Sequence, residues 1–263
     1  MDWLNIKGKS VVVTGGSSGI GEAIIKQLLD LEVNVINADI KEGRIKHKQL
    51  FFVQTDVSDR TSVENLIDKA MKKFGVIDAV VNNAGINIPA LLVDSKSSTY
   101  EIGEELFEKM YAINQKGVYL LSQATSRQMI KQGHGVIINM SSESGLEGSE
   151  GQSVYAATKA AINSFTRSWS KELGKYGIRV LGIAPGIMEE TGLRTYEYEK
   201  ALAYTRNKTI EDLRAVYSQT TTIPLGRSGK LDEIADLVSY FISDRSSYIT
   251  GVTVNISGGK TRG

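Results

Sequence analysis

Short apolar runs alternate along the chain with longer stretches whose apolar positions recur every three or four residues. The first run, Val11-Val12-Val13, ends in Thr14-Gly15-Gly16, the pattern of a strand buried on both faces and closed by a turn. From Gly19, the positions Ile20, Ala23, Ile24, Leu28 and Leu31 fall on one stripe, which at ~3.6 residues per turn predicts a helix. Val33-Asn34-Val35-Ile36 and Phe51-Phe52-Val53 predict two more strands, and Val63, Leu66, Ile67, Ala70, Met71 and Phe74 the buried stripe of the next helix. The alternation continues with a strand over Ile77 to Val81, a long helical region around Leu106 to Ile130, and a strand over Val136 to Met140. A helix around Val154 to Leu173 and a strand over Ile178 to Ile183 follow.

Alternating strand and helix units with doubly buried strands require a parallel sheet, right-handed crossovers and helices on both faces. The pattern therefore predicts an α/β fold, a Rossmann-type doubly wound sheet forming a single domain over 1–263. Two stretches break the rhythm: Asn87 to Gly103, polar and serine-rich, and Met188 to Thr222, long and charged. They are expected to be insertions over the site, the second a substrate lid. No internal repeat, low-complexity segment or linker interrupts the chain.

Composition narrows the classes of function. With 263 residues and 41% hydrophobic content the chain is long enough for a sizeable core. Its 31 Lys and Arg nearly balance 30 Asp and Glu, so no electrostatic case exists for nucleic acid or a membrane surface, and a small solute is the expected partner. The absence of cysteine removes disulfides, thiolate nucleophiles and thiolate metal sites, and suits a reducing cytoplasm. The polar start, Met1 to Lys9, lacks the apolar core of a signal peptide, and the apolar runs fall far short of a membrane span.

Thr14-Gly15-Gly16-Ser17-Ser18-Gly19-Ile20-Gly21 stands where the first strand turns into the first helix. Glycines there permit a tight turn and let backbone amides approach a pyrophosphate at the positive end of a helix; Ser17 and Ser18 can add hydroxyl donors. Asp39, eighteen residues after Gly21, closes the second strand, where a carboxylate accepts from the adenosine ribose hydroxyls. A 2′-phosphate would meet its negative charge, and Ala38 and Ile40 supply no compensating arginine, so NAD is expected rather than NADP. Lys41 and Arg44 lie near enough to weaken that discrimination.

Tyr155 and Lys159 are four residues apart on a predicted helix and so share one face. A nearby ammonium stabilises phenolate and lowers the tyrosine pKa from its ordinary ~10, which makes the phenol a usable acid and base for alcohol and ketone chemistry. Ser141 and Ser142 end the preceding strand, at the sheet edge where ligands bind. Alternation lets only one of them face the site, where its hydroxyl can hold a substrate oxygen. His47 and His134 stand in polar loops and support neither a hydrolase nor a metal centre.

Taken together these residues resemble the short-chain dehydrogenase/reductase family over essentially the whole chain. The matching motifs are Thr14-Gly15-x-x-x-Gly19-Ile20-Gly21, Asp56-Val57, Asn82-Asn83-Ala84-Gly85, Asn114, Tyr155-x-x-x-Lys159 and Pro185-Gly186. The resemblance places the catalytic serine on Ser142 and implies a tetrad of Asn114, Ser142, Tyr155 and Lys159, with Asn114 holding a water that joins Lys159 to solvent. It also implies adenine contacts from Asp56 and Val57, and a cofactor path along Asn83, Ala84, Gly85, Pro185, Gly186 and Ile187 as well as Tyr155 and Lys159. One departure is visible: the threonine that usually follows Pro-Gly is displaced to Thr191.

A narrower resemblance lies in Ser141 to Gln152, Ser164 to Val180, Gly192-Leu193-Arg194 and Gly258 to Gly263. It is to family members that interconvert a phosphorylated polyol and its ketose with NAD, as cytoplasmic homotetramers. Glu143 and Glu150 could accept from polyol hydroxyls. The phosphate requires cations, for which Lys260 and Arg262 on the tail, or Arg194 and Arg206 in the variable region, are candidates, the tail acting in its own or a neighbouring subunit. Two rivals are a reductase of the same family acting on a ketone such as a 3-oxoacyl group, and a non-enzymatic NAD-binding sensor. Asp39 and the acidic Glu143 to Glu150 segment oppose the first, and the intact tetrad opposes the second.

Overall fold

Residues 3–189, 191–192, 194–219 and 222–261 are described by a computed structural model. Successive residues of a strand point to opposite faces, and β1 (Ser10–Thr14) buries all of them. Val11 and Val13 enter one core; Val12 enters a second on the opposite face. The first core is covered by α1 (Gly19–Asp30) through Ile24 and Leu28. The second is covered by α2 (Arg60–Phe74) through Val63, Leu66 and Ile67. Asp59 caps α2 by accepting from the Thr61 and Ser62 amides, and Gly75 ends it in the left-handed conformation.

Between these helices run β2 (Asn34–Asp39) and β3 (Leu50–Gln54). β4 (Ala79–Asn82) leads into α3 (Glu104–Tyr111), a π-helical turn at Ala112–Lys116 and α4 (Gly117–Gln132). β5 (Gly135–Met140), the single turn α5 (Ser144–Glu147), α6 (Ser153–Leu173) and β6 (Ile178–Pro185) follow. The chain closes with α7 (Tyr196–Thr205), α8 (Ile210–Gln219), α9 (Leu231–Ile242) and β7 (Thr253–Ile256). The strands form one parallel sheet in the order β3-β2-β1-β4-β5-β6-β7. The order reverses direction between β1 and β4, and a crevice opens there beyond the carboxyl ends of the strands. The doubly wound α/β fold expected from the periodicity is the one observed.

Three local expectations change. The strand expected from Ile77 begins at Ala79, because the Gln132 side chain takes both backbone groups of Ile77, accepting from its N–H at 3.2 Å and donating to its carbonyl at 3.0 Å. The helical region over 106–130 contains the π turn, which widens the helix at Asn114. The stretch 188–222 carries two helices where few apolar stripes were apparent. They close on a small core of their own, Leu202, Ala203 and Leu213.

The other interrupting stretch, 87–103, is tied to α7 by one carboxylate. Asp94 accepts from Tyr204 Oη at 2.9 Å, from Ser97 Oγ at 3.0 Å and from the Lys96 and Tyr100 amides at 3.1 and 3.3 Å. The Tyr100 and Tyr204 rings pack 4.5 Å apart above it. Burial works to raise the Asp94 pKa, but these four donors outweigh it and hold the carboxyl at about 2, below its usual 3.8. A pKa depressed in the folded state gives stability that is full above the unfolded value and is lost as pH falls toward the folded one. The contact between 87–103 and α7 should therefore weaken as pH drops from about 4 to about 2, seen as protease cleavage in 87–103 ahead of global unfolding. Asp94→Asn should show that cleavage already at neutral pH; equal resistance of variant and parent would refute the role.

Candidate active site

At the crevice β1 ends and the chain must turn at once into α1. Gly19 adopts φ +55°, a left-handed conformation that glycine takes without strain. Gly21 is required for another reason: a Cβ there would lie 2.1 Å from the Gly15 carbonyl oxygen and 2.7 Å from Asn83 Nδ2. Gly21 thus packs behind the cradle and is not among the residues lining the cavity. Ser17 sits beside it, its hydroxyl donating to the Lys41 carbonyl at 2.6 Å and its amide to Asp39 Oδ2 at 3.0 Å. Gly15, Ser18, Gly19 and Ile20 do face the cavity. Ser18 forms no side-chain cap on α1, which leaves the helix's first amides available to an anion.

The cavity encloses about 630 Å³, within the range of small-molecule and cofactor sites. One end is formed by Asp39, Asp56 and Val57 at the carboxyl edge of β2 and β3. Asn83, Ala84 and Gly85 continue its wall after β4. Thr14 Oγ1 accepts from the Asn83 and Ala84 amides at 3.0 Å each, and Asn83 Nδ2 donates to the Thr14 carbonyl at 2.9 Å. Asn83 thereby staples the β4 end to the glycine turn. Pro185, Gly186 and Ile187 close the opposite wall, and Thr191 stands against Gly19, 3.5 Å from where its Cβ would be. The displaced threonine therefore flanks the glycine turn.

Ser142, Tyr155 and Lys159 all line the cavity. Ser141 and Ser142 are separated as alternation requires: Ser141 Oγ donates to the Lys159 carbonyl at 3.1 Å, whereas Ser142 lines the cavity with its Oγ accepting from the Ser144 amide at 3.2 Å. Lys159 is buried and its Nζ donates to the Met140 carbonyl at 2.8 Å, with the Tyr155 ring centroid 5.6 Å away. Burial lowers its pKa to about 8. The expected lowering of Tyr155 by Lys159 is not what the structure holds. Burial pushes the phenol above its ordinary value, Ser142 pulls it back, and the Glu143 charge adds to the rise.

Asn114 is fully buried in the π turn, with its side-chain amide donating to the Ile86 carbonyl and accepting from the Ile86 amide, both at 2.8 Å. Gly85 brings it beside the lysine, since a Cβ on Gly85 would lie 3.3 Å from Asn114 Oδ1 and 3.6 Å from Lys159 Nζ.

The remaining candidates divide. Glu143 lines the cavity and is clamped from the tail: Lys260 Nζ donates to Oε1 at 2.7 Å and Thr261 Oγ1 to Oε2 at 2.8 Å. Glu147 joins the same cluster, 3.9 Å from Lys260 Nζ. The tail therefore reaches the cavity of its own subunit. Arg194 lines the cavity and donates to the Met188 carbonyl at 2.7 Å. Glu150 is exposed and is not among the residues lining the cavity; its carbonyl accepts from Arg206 Nε at 3.3 Å. Arg262 lies outside the described residues. Sequence reasoning missed Ser149, Gln152 and Tyr198, which line the cavity beside Tyr155. For Gln152 the signal was its position one helical turn before Tyr155.

Among the described residues there is no cluster of three or more potential metal ligands and no helix long and apolar enough to cross a membrane. The arrangement can hold a dinucleotide along the glycine turn and exchange a proton at the far end. Residues 9–201 match the family model of the short chain dehydrogenases. Over 99% of both chains the protein is 60% identical to a sorbitol-6-phosphate 2-dehydrogenase of Klebsiella pneumoniae. It is 36% identical to a 3-oxoacyl-(acyl-carrier-protein) reductase of Thermotoga maritima, over 97% of this chain and 99% of that one. The crystal structure of a 3-ketoacyl-(acyl-carrier-protein) reductase from Brucella melitensis complexed with NADH superposes with a TM-score of 0.83 at 26% identity, covering 98% of this chain and all of the other. Motifs, sheet order and comparisons agree that the chain belongs to the short-chain dehydrogenase family and is an oxidoreductase using a nicotinamide cofactor.

Proposed function

We propose that the protein oxidises sorbitol 6-phosphate to fructose 6-phosphate, reversibly and with NAD. The observation that carries this reading is the 60% identity to the Klebsiella enzyme across both whole chains, joined to a polar cavity wall of Glu143, Ser149 and Gln152 around Tyr155. An acyl substrate of the kind handled by the Thermotoga relative favours apolar walls, so the 3-oxoacyl reading fits less well. A cytoplasmic homotetramer accompanies the proposal on the strength of the family resemblance.

The residues present suit the dinucleotide. The amides of α1 lack a side-chain cap, and the cavity runs unbroken from Asp39 past Gly19 and Gly85 to Tyr155. When bound, the oxidised nicotinamide supplies a hydride acceptor. Ser142 holds the substrate hydroxyl, and Tyr155 takes its proton as phenolate in oxidation or returns it as phenol in reduction. Lys159 supplies the charge that offsets desolvation of the phenolate, and proton exchange with solvent passes from it toward Asn114. Asp39, fixed by the Ser17 and Lys41 amides at 3.0 and 3.2 Å, supports NAD because a 2′-phosphate would be brought against its charge.

Purified protein mixed with NAD and a panel of free and phosphorylated polyols should form NADH with sorbitol 6-phosphate; activity confined to free polyols would overturn the assignment. Tyr155→Phe should lower kcat by about 10²–10⁴-fold while NADH binding, followed by fluorescence, is retained. In Asp39→Ser the ratio of kcat/KM with NADPH to that with NADH should rise by about tenfold or more, the equivalent of ~1.4 kcal/mol. An unchanged ratio would remove Asp39 from cofactor choice.

A further inference from the structure

A phosphorylated hexitol reacting at its second carbon carries a dianion on its sixth. Four carbon–carbon bonds of ~1.5 Å each separate the two carbons, a span of roughly 5 Å before the ester itself. Phosphate at that distance needs cations whose charge is not already spent. The cations facing the cavity among the described residues are Lys159, Arg194, Arg206, Lys208 and Lys260.

Three of these have other duties. Lys159 is committed to the Met140 carbonyl at the reacting centre. Lys260 is neutralised by Glu143 and Glu147. Arg194 is set apart by position and not by charge: the segment that leads to it, Thr191 and Gly192, packs on Gly19 and Ser18 at the dinucleotide end, and its Nη2 donates to the Met188 carbonyl.

Arg206 and Lys208 stand in the turn between α7 and α8, and the described residues contain no ion pair to either. Lys208 acts on Asp212 only through space. The Arg206 guanidinium is fixed by neutral partners, Nη2 donating to Ser149 Oγ at 2.9 Å and Nε to the Glu150 carbonyl at 3.3 Å. Of its five N–H donors three stay unspent among the described residues. Ser149 Oγ donates in turn to Gln152 Oε1 at 2.7 Å, and Gln152 Nε2 to Tyr198 Oη at 2.9 Å. Gln152 stands immediately before α6, three positions ahead of Tyr155 in its first turn, so the network begins about one helical turn, ~5 Å, from Tyr155, a separation comparable to the span of the substrate. The Gln152 side chain, drawn into this network, leaves the N-terminus of α6 without a side-chain cap, so the positive end of a long helix lies at the same place.

We propose that Arg206, oriented by Ser149 and assisted by Lys208, is the phosphate anchor of the substrate pocket and sets its preference for phosphorylated over free polyols. The inference rests on the sorbitol 6-phosphate reading and sharpens it. Arginine suits the role because its planar fork meets two phosphate oxygens at once.

The test compares kcat/KM for sorbitol 6-phosphate and for sorbitol in the parent, Arg206→Met and Arg206→Lys. The ratio of the two values should fall about 10–100-fold in Arg206→Met, as loss of a charged hydrogen bond predicts, mainly through KM for the phosphorylated substrate. Arg206→Lys should fall between, and inorganic phosphate should compete with sorbitol 6-phosphate in the parent far better than in Arg206→Met. An unchanged ratio, or equal losses with both substrates, would overturn the anchor; NADH binding in both variants reports that the fold is intact, and if Arg206→Met fails that check Arg206→Lys decides. A parent that does not prefer the phosphorylated polyol would instead overturn the functional reading itself.

Discussion

A buried ammonium fixes the geometry on which the site depends. An uncompensated charge taken out of water costs several kcal/mol, so Lys159 must find a strong acceptor, and it finds the Met140 carbonyl at 2.8 Å. Met140 is the last residue of β5, held in register with Ile183 of β6. The position of the acceptor is therefore set by the sheet and not by a loop. Ser141 adds a second tie, to the carbonyl of Lys159 itself. The connection between β5 and α6 can close this tightly because residue 145 is glycine: a Cβ there would stand 2.6 Å from the Lys159 backbone carbon. Tyr155, one turn earlier on α6, inherits its place from these contacts, so strand register determines where the proton is exchanged.

Burial that fixes the lysine also sets the chemistry. The same dry environment that brings Lys159 down to about 8 pushes Tyr155 up, because desolvation penalises the charged form of each. A phenolate therefore needs positive charge beside it, which Lys159, 5.6 Å from the Tyr155 ring, is placed to supply. Glu143 makes this balance sharper, since its charge opposes the phenolate and has to be offset by the tail.

What the sequence showed and what it hid divide along the range of the interactions concerned. β1, β2, β3, β5 and β6 were legible because strands covered on both faces read as continuous apolar runs. The pairing of Tyr155 with Lys159 was legible because it lies within one helical turn. Ile77 reads as strand from its own neighbourhood, yet its backbone is claimed by Gln132, 55 residues away. Nothing in Ala112 to Lys116 marks a π turn, whose reason is the distant pairing of Asn114 with Ile86. The bond from the Ser17 hydroxyl to the Lys41 carbonyl is invisible in the sequence because its acceptor is a backbone atom 24 residues away. Glu150 was read with Glu143 because both flank the catalytic segment, but a loop has no periodicity to tell a facing side chain from a solvated one.

The tail illustrates how a correct element can take a different part in the charge arrangement. Lys260 was a natural phosphate ligand from its sign and its likeness to related chains, and it does reach the cavity. Glu143 is only 13% exposed at its side chain, against 24% for Lys260, so withdrawing the lysine toward a phosphate would leave a mostly buried carboxylate with Thr261 as its remaining donor. That loss is comparable in kind to breaking a buried pair, and solvent at Lys260 reduces but does not remove it. It would also leave the Glu143 charge unopposed beside Tyr155, where it disfavours the phenolate that oxidation requires. A phosphate drawn to Lys260 would thus weaken the acid–base group it was meant to serve. The two ends of the cavity avoid this conflict by separation: the tail neutralises the carboxylates next to the proton-transfer centre, while the α7–α8 turn keeps its cations for an anion one helical turn away.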